Sequence, residues 1–565
     1  MHNLHAISFY DNIKIGKKKI QGRFVIPSGI RCTHASTISR YFEIAAVGII
    51  TTKSISIEAK KGYREPIFTK YGENSYINAV GLENPGATVF REELSKITVP
   101  DNKFLLVSIF GGDVESFYET AQELAPYADG FELNMSCPHS DGYGLQIGHD
   151  IDLVSRITKK IATVFDVPLF VKLSATIPNV ARIAAAAIQN GAKGITITNT
   201  IGPSVDYVSE IPILSNVVGG MSGEAIRPLG LKALYDIRAT IGKDPYVIGL
   251  GGIFNKEHVE SYNMAGADFF GVGSALTNLT TPETSNFFFN LQRDIIKQRA
   301  VHTYTLPPVT NMQYRKCFVE ENTALSDNLH KIKVSKWVAY DSALDVSGKF
   351  FFIMLPEIGE KPFSVFSYSD RDFIVKSVGP FTRELISLDA GDMLFIRGPY
   401  GNSIPEYSGV TINFVAGGTG IASVFEIAKK YSRSNKLRFF FGGKSCQDIF
   451  DVERFEKYGD VFISTDDGSK GSQGVVTDLL DSSLFDGKDR QIFINVGPKP
   501  MIENAYGIEK GLVSDDDIWV AIEYQTSCGV GICGKCATEN GVISCVDGPF
   551  LRVKDAMKIE ACEHQ

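Results

Sequence analysis

Between residues 21 and about 275 the chain repeats one pattern eight times: a short β-rich apolar run followed by a longer stretch of helical periodicity. The runs are GRFVIPSG (22–29), AVGIITTK (46–53), FLLVSIF (104–110), GFELNMS (130–136), PLFVKLS (168–174), GITITNT (194–200), YVIGLGG (246–252) and DFFGVGS (268–274). Intervening stretches such as NVARIAAAAIQNGA and PLGLKALYDIRATIG carry a glycine where a helix would stop. Parallel strands need long crossovers, so the repeat predicts a parallel (β/α)8 barrel of the TIM type over 1–300. An open doubly wound sheet is the rival arrangement. Lys53, Asn134, Lys172, Asn199, Gly251 and Gly273 stand at the C-terminal ends of the runs. In a barrel that rim is where chemistry sits.

At 565 residues the chain exceeds what one core can organise, and the pattern changes after the repeat. A Pro-Pro pair marks a linker over 301–314. Residues 315–408 alternate like strands without long helices, which predicts an antiparallel β-barrel. In 409–512 strand and helix signals alternate again, as in TINFVAGGTGIASVFEIAKKY, and a cysteine-bearing domain is expected over 513–565. The composition, 44% hydrophobic and 22% charged, is that of an ordinary globular chain. A net charge of −8 gives no electrostatic footprint for nucleic acid or an anionic membrane, so small molecules are the expected partners. The N-terminus lacks the apolar core of a signal peptide, and no run reaches the roughly 18 apolar residues of a spanning helix. A cytoplasmic location is expected.

Of nine cysteines, four crowd into Cys528-GVGI-Cys533-GK-Cys536 and, after eight intervening residues, Cys545. Thiolates ligate iron–sulfur clusters, and this spacing is that of plant-type [2Fe–2S] loops. Gly529, Gly531 and Gly534 let the backbone wrap closely. A zinc site is the alternative, though it usually wants paired half-sites.

Gly417-Gly418-Thr419-Gly420 follows an apolar strand and opens a helix, a place where backbone N–H groups can hold a pyrophosphate. With Gly497-Pro498 and Thr465-Asp466-Asp467-Gly468 it points to a nicotinamide nucleotide site. Pro362-Phe363-Ser364-Val365 and Arg397-Gly398-Pro399-Tyr400-Gly401 carry the pattern of a ferredoxin-reductase flavin barrel. In the first half, Cys137 follows the fourth run, where a thiol can act as a base if its surroundings favour the thiolate. Lys172 and Lys53 are placed to balance charge developing on a reduced flavin. The glycine ends Gly251-Gly252 and Gly273-Ser274 fit the phosphate site of the last two barrel loops.

Through IPSG (26–29), TTKS (51–54), NAVGLENPG (78–86), ELNMSCP (132–138), VKLS, TNT, GGMSG, GLGGI and GVGSA, residues 20–280 resemble the catalytic subunit of class 1 dihydroorotate dehydrogenases. Residues 315–550 are similar to the electron-transfer subunit of the NAD-linked class 1B enzymes, through FSV, RGPYG, AGGTGIA, VGPKPM and the cysteine loop. The chain thus looks like a fusion of two subunits, catalytic half first. The resemblance implies that Cys137 removes the C5 proton of dihydroorotate while a hydride leaves C6 for FMN. It implies that Asn78, Gly81, Leu82, Asn134, Asn199 and Thr200 surround the pyrimidine and that Lys53 touches flavin and substrate. Ser28, Gly29, Ser54, Lys172, Gly223, Gly251, Gly252, Gly273 and Ser274 would hold FMN. Pro362, Phe363, Ser364, Val365, Gly398 and Tyr400 would line FAD, and Gly417, Gly418, Thr419 and Gly420 the nucleotide. Electrons would pass from FMN through the [2Fe–2S] cluster to FAD and NAD, and the barrel would build a homodimer.

Four positions in three segments depart from the family pattern. His139 replaces another substrate-facing asparagine; a neutral imidazole offers one donor and one acceptor. Lys361 replaces an arginine before the FAD-binding proline, and Ala175-Thr176 replaces a Pro-Asn pair. His139 keeps open a second reading, an NAD(P)H-dependent reductase of a pyrimidine or another conjugated carbonyl compound. A third reading is an electron-transfer module for a protein partner, against which the intact Cys137, Lys172 and asparagines argue. Lys444 and Ser445, after the second strand of the nucleotide lobe, leave NAD against NADP open.

Overall fold

The structure is a computed structural model that describes residues 12–136, 148–296, 312–337, 340–341, 343–481, 484–485 and 489–557. Cys137, His139 and residues 301–311 of the expected linker lie outside the described residues. The chain divides into two compact units, Met1–Val309 with Val530–Lys535, and Thr310–Gly529 with Cys536–Gln565.

In the first unit every one of the eight apolar runs is a strand: β1 (Phe24–Ile26), β2 (Val47–Thr51), β3 (Phe104–Ile109), β4 (Gly130–Asn134), β5 (Leu169–Leu173), β6 (Gly194–Ile197), β7 (Tyr246–Leu250) and β8 (Phe269–Gly271). They pair in parallel in chain order, and β8 closes on β1. The barrel is therefore closed and the open-sheet rival is excluded. Strands β2 and β5 are buried along their whole length, as parallel strands covered on both faces must be. The helix signals hold as well: Val180–Gln189 gives way to Gly191 at φ +105°, and Arg227–Ile241 ends on Gly242 at φ +77°. Both are left-handed stops that only glycine adopts cheaply.

A hairpin of Ile13–Ile15 and Lys18–Ile20 packs Ile15 and Ile20 against Phe104, Phe170 and Phe269 near the strand starts. Each such buried side chain contributes about 1.5–3 kcal/mol of apolar burial. One feature has no counterpart in the eightfold pattern: a four-stranded sheet in which Ser75–Asn78 pairs with Phe68–Tyr71 and with Gly219–Gly223, and the last of these with Ile201–Ser204. It draws on the insertions after β2 and β6, and it carries Asn78 and Gly223.

The second unit opens with a closed antiparallel barrel of β9 (Arg315–Ser326), β10 (Leu329–Val334), β11 (Phe350–Leu355), β12 (Gly359–Ser367), β13 (Asp372–Lys376) and β14 (Met393–Tyr400), in spatial order 9-10-13-12-11-14. A seven-stranded sheet follows, of β15 (Thr411–Gly417), β16 (Lys436–Gly443), β17 (Asp460–Thr465), β18 (Ser472–Gln473), β19 (Gln491–Val496), β20 (Ile518–Ala521) and β21 (Leu551–Arg552), in order 18-17-16-15-19-20-21. All its pairings are parallel except that of β20 with β21. Chain order reverses between β15 and β19, which makes a switch point at the C-terminal end of β15. Strands β20 and β21 come from the region expected to form the cysteine-bearing domain and complete this sheet. Among the described residues no helix is long and apolar enough to cross a membrane.

Candidate active site

Glu132 sits in β4 and Lys172 in β5, each in an otherwise apolar run and each almost wholly buried. A buried charge is tolerated only when paired, and Lys172 Nζ lies 3.8 Å from Glu132 Oε1. Ser108 Oγ, from β3, donates to the same carboxylate oxygen at 3.1 Å. Ser108 Oγ in turn lies 2.8 Å from Ser54 Oγ, which stands 3.1 Å from Ser28 Oγ. Asn134 Nδ2 donates to Ser54 Oγ at 3.0 Å, and Asn134 Oδ1 accepts from Ser136 Oγ at 3.2 Å. Asn199, just past β6, donates through Nδ2 to Ser136 Oγ at 3.0 Å and accepts from Thr200 N at 2.8 Å. One hydrogen-bonded chain thus runs along the C-terminal ends of β1 to β6. It joins Ser28, Ser54, Asn134, Asn199 and Thr200, and its Glu132 end is ion-paired with Lys172; all six are residues expected to serve the site.

Glu132, Ser108 and Ser136 were not assigned a role from sequence, yet they connect the chain. A glutamate inside the apolar run GFELNMS is the signal that identifies one of them. Lys53 follows β2, where desolvation draws its ammonium below the ordinary value, opposed by the Cys32 thiol and Glu83. Cys32 is itself buried, and burial lifts its thiol despite the nearby Lys53 and Lys172. Gly81 at φ +79° and Leu82 at φ +57° form two successive left-handed residues. A Cβ on Gly81 would lie 2.9 Å from the Tyr63 ring, so this turn has room only for glycine.

The glycines expected to hold a phosphate also converge. Gly223 and Gly252 have φ of +91° and +73°, and a Cβ on Gly252 would meet the Gly223 carbonyl at 2.7 Å. Ser274 Oγ donates to Ser222 Oγ at 3.1 Å. Bare backbone and hydroxyls from β7, β8 and the added sheet therefore meet in one cradle, with Gly251 and Gly273 adjoining it in sequence.

In the second unit, Ser423 Oγ on the helix Gly420–Tyr431 donates to Ser364 Oγ on β12 at 3.0 Å. That bond ties the expected flavin strand to the expected nucleotide turn. A Cβ on Gly420 would meet the Val496 carbonyl at 2.5 Å, whereas one on Gly418 would meet open space. The turn thus packs tightly against β19 and leaves its outer face clear at a helix N-terminus. Phe363 stacks on Phe381, and Phe363 and Pro362 pair across to Phe351 and Phe352. Gly398, at φ +130°, lets β14 approach β11: a Cβ there would lie 3.1 Å from Phe351. Tyr400 is buried and accepts a hydrogen bond from Arg397 Nη1 at 2.7 Å, with its phenol pushed up to about 12 by burial. Ser445 Oγ accepts from Gln447 N, and Lys444 N donates to Asp448, so this loop is organised by its own capping. Cys528, Cys536 and Cys545 are buried. Cys533 is half-exposed and groups with the first unit.

Residues 12–286 match the family described as dihydroorotate dehydrogenase, and residues 414–506 match the oxidoreductase NAD-binding domain. The catalytic subunit of dihydroorotate dehydrogenase B (NAD(+)) of Thermoplasma volcanium is 38% identical over 260 residues, 46% of this chain and 84% of that protein. The corresponding subunit of Pyrococcus horikoshii is 37% identical, over 47% of this chain and 86% of its own length. That of Archaeoglobus fulgidus is 36% identical, over 50% and 92%. With a barrel of the expected topology and relatives matched over most of their length, the chain belongs to the dihydroorotate dehydrogenase family.

Proposed function

We propose that the protein oxidises dihydroorotate to orotate with NAD+ as acceptor, the redox step of pyrimidine synthesis, and that it joins the catalytic and electron-transfer parts of a class 1B enzyme in one polypeptide. The observation that carries this reading is the chain of hydrogen bonds from Ser28 through Ser54 and Ser108 to Glu132, which is ion-paired with Lys172, with Asn134 and Asn199 attached, on the rim of a barrel whose chain also contains an NAD-binding domain.

In this reading Asn134, Asn199, Asn78 and the Gly81-Leu82 turn orient the pyrimidine, with Thr200 and His139 beside it. Lys53 places a cation at the mouth, and Cys137 takes the C5 proton. The cradle of Gly223, Gly251, Gly252, Gly273 and Ser274 fits an FMN phosphate, because a side chain on Gly223 or Gly252 would collide with backbone. Pro362 to Val365 and Gly398 fit a flavin against β11 and β12, and the clear face at Gly418 fits a dinucleotide phosphate. Among the described residues no group of three or more His, Cys, Asp or Glu side chains is arranged to hold a metal ion, so the cluster assignment rests on spacing and donor chemistry. Three of the four thiols, Cys528, Cys536 and Cys545, are buried, which suits that chemistry. When bound, FMN would accept the C6 hydride, the cluster would relay single electrons, and FAD would reduce NAD+. A homodimer through the barrel and a cytoplasmic location complete the reading.

The deciding experiment mixes purified protein with dihydroorotate and NAD+, then NADP+, and follows nicotinamide reduction. Reduction of NAD+ supports the proposal. Reduction of neither by flavin- and iron-loaded protein overturns it. Turnover of a different pyrimidine in the reducing direction alone would favour the second reading that His139 keeps open.

A further inference from the structure

The RGPYG segment of β14 puts Arg397 in the interior of the second unit, wholly out of solvent. Its guanidinium pairs with Glu360 of β12 through both arms, Nη2 to Oε1 at 2.6 Å and Nε to Oε2 at 2.9 Å. The Tyr314 hydroxyl donates to the same carboxylate at 2.9 Å. The flat of the guanidinium lies 3.9 Å from the Phe352 ring centroid. This fork and stack are geometries that an ammonium cannot reproduce.

Three N–H donors remain, and two of them reach the cysteine loop. Nη1 is shared between the Tyr400 hydroxyl at 2.7 Å and the Cys528 carbonyl at 3.0 Å, and Nη2 reaches the Ser527 carbonyl at 3.5 Å. The next residue, Gly529, is left-handed at φ +78°, and a Cβ there would meet Phe352 at 2.8 Å and Tyr400 at 3.3 Å. The loop is thus pressed onto the two rings that enclose the guanidinium, with no room for a side chain between. A pair serving stability alone could be replaced by apolar groups of similar size at little loss. A pair whose free donors hold the residue before a tight glycine does something an apolar replacement cannot.

We propose that Arg397 is a positioning residue for the iron–sulfur cluster: Glu360 aims its guanidinium at the Ser527 and Cys528 carbonyls, which fixes the first cysteine of the loop and sets a buried positive charge next to it. Cluster potentials respond to nearby charge and to hydrogen bonding, so the pair sets the potential as well as the loop conformation. The inference rests on the proposed assignment of Cys528 as a cluster ligand.

The test uses the full chain carrying its cofactors and three variants: Glu360→Gln, Arg397→Lys, and Arg397→Met combined with Glu360→Leu. The double variant removes both charges together and so keeps the unit folded if either single change does not. Two quantities are read: the midpoint potential of the reduced-cluster electron paramagnetic resonance signal, and amide hydrogen exchange over 524–529. Glu360→Gln leaves the guanidinium charge uncompensated and shifts the potential positive. The double variant shifts it negative. Arg397→Lys and the double variant speed exchange on the order of tenfold, the loss of one charge-assisted hydrogen bond. Folded variants with wild-type potential and wild-type exchange would overturn the inference. Wild-type protein purified anaerobically without iron would instead sink the cluster assignment, and the exchange measurement would still decide whether Arg397 holds the loop.

Discussion

Glu509 provides a test of how burial couples to pH. It ends the helix Lys499–Glu509, has no solvent exposure, and accepts one hydrogen bond, from Asn495 Nδ2 at 2.8 Å. Its Oε1 and the Asn495 Oδ1 are buried without a hydrogen-bond partner. Desolvation raises the carboxyl from an ordinary 4.5 to about 8. In the folded protein the group therefore keeps its proton up to about pH 8, whereas in the unfolded chain it ionises near 4.5. Between those values the unfolded state has lost a proton that the folded state retains, so stability falls as pH rises. The difference between about 8 and 4.5, at about 1.36 kcal/mol per pH unit, amounts to about 5 kcal/mol lost across that window, with no further loss above it. Glu509→Gln substitutes a neutral side chain of the same shape. Urea unfolding followed by the fluorescence of Trp519, in neighbouring β20, should give nearly equal midpoints for the two proteins at pH 5. At pH 8 the variant should unfold at clearly higher urea, by several kcal/mol. Other titrating groups cancel in the comparison, because they are common to both proteins. Midpoints that fall in parallel from pH 5 to 8 would refute the reasoning.

Cys137→Ser should lower dihydroorotate-dependent NADH formation by at least about 100-fold, the usual worth of a positioned base, while bound FMN stays at the wild-type level. Lys172→Met strands the Glu132 carboxylate in the barrel rim. It should lower stability by about 3–5 kcal/mol in urea titration and reduce the flavin absorbance of purified protein. Gly252→Ala must hold φ +73° and meet the Gly223 carbonyl at 2.7 Å; at least about 1–2 kcal/mol of strain is expected, and equilibrium dialysis should show weakened FMN retention.

The first barrel was legible in the sequence because its signals are local. A buried parallel strand needs an apolar run, its crossover needs helical periodicity, and Gly242 stops a helix without reference to anything distant. Spacing alone singled out Cys528, Cys533, Cys536 and Cys545, and the residues of ELNMSCP identified Asn134. What tertiary structure decided was which of these residues share a site. Asn78 pairs with Gly220 across 142 positions of chain, in short strands that carry no periodicity of their own. Ser54, Ser108 and Glu132 become neighbours only because β2, β3 and β4 align in register, and no local pattern encodes that alignment. Arg397 reads in sequence as one more residue of a flavin motif. Its partners, Glu360 on β12 and the Cys528 carbonyl, come from segments 37 and 131 residues away. Short-range chemistry selects each element; closing a barrel and stacking its strands in one register determines which polar groups must satisfy one another once water is excluded.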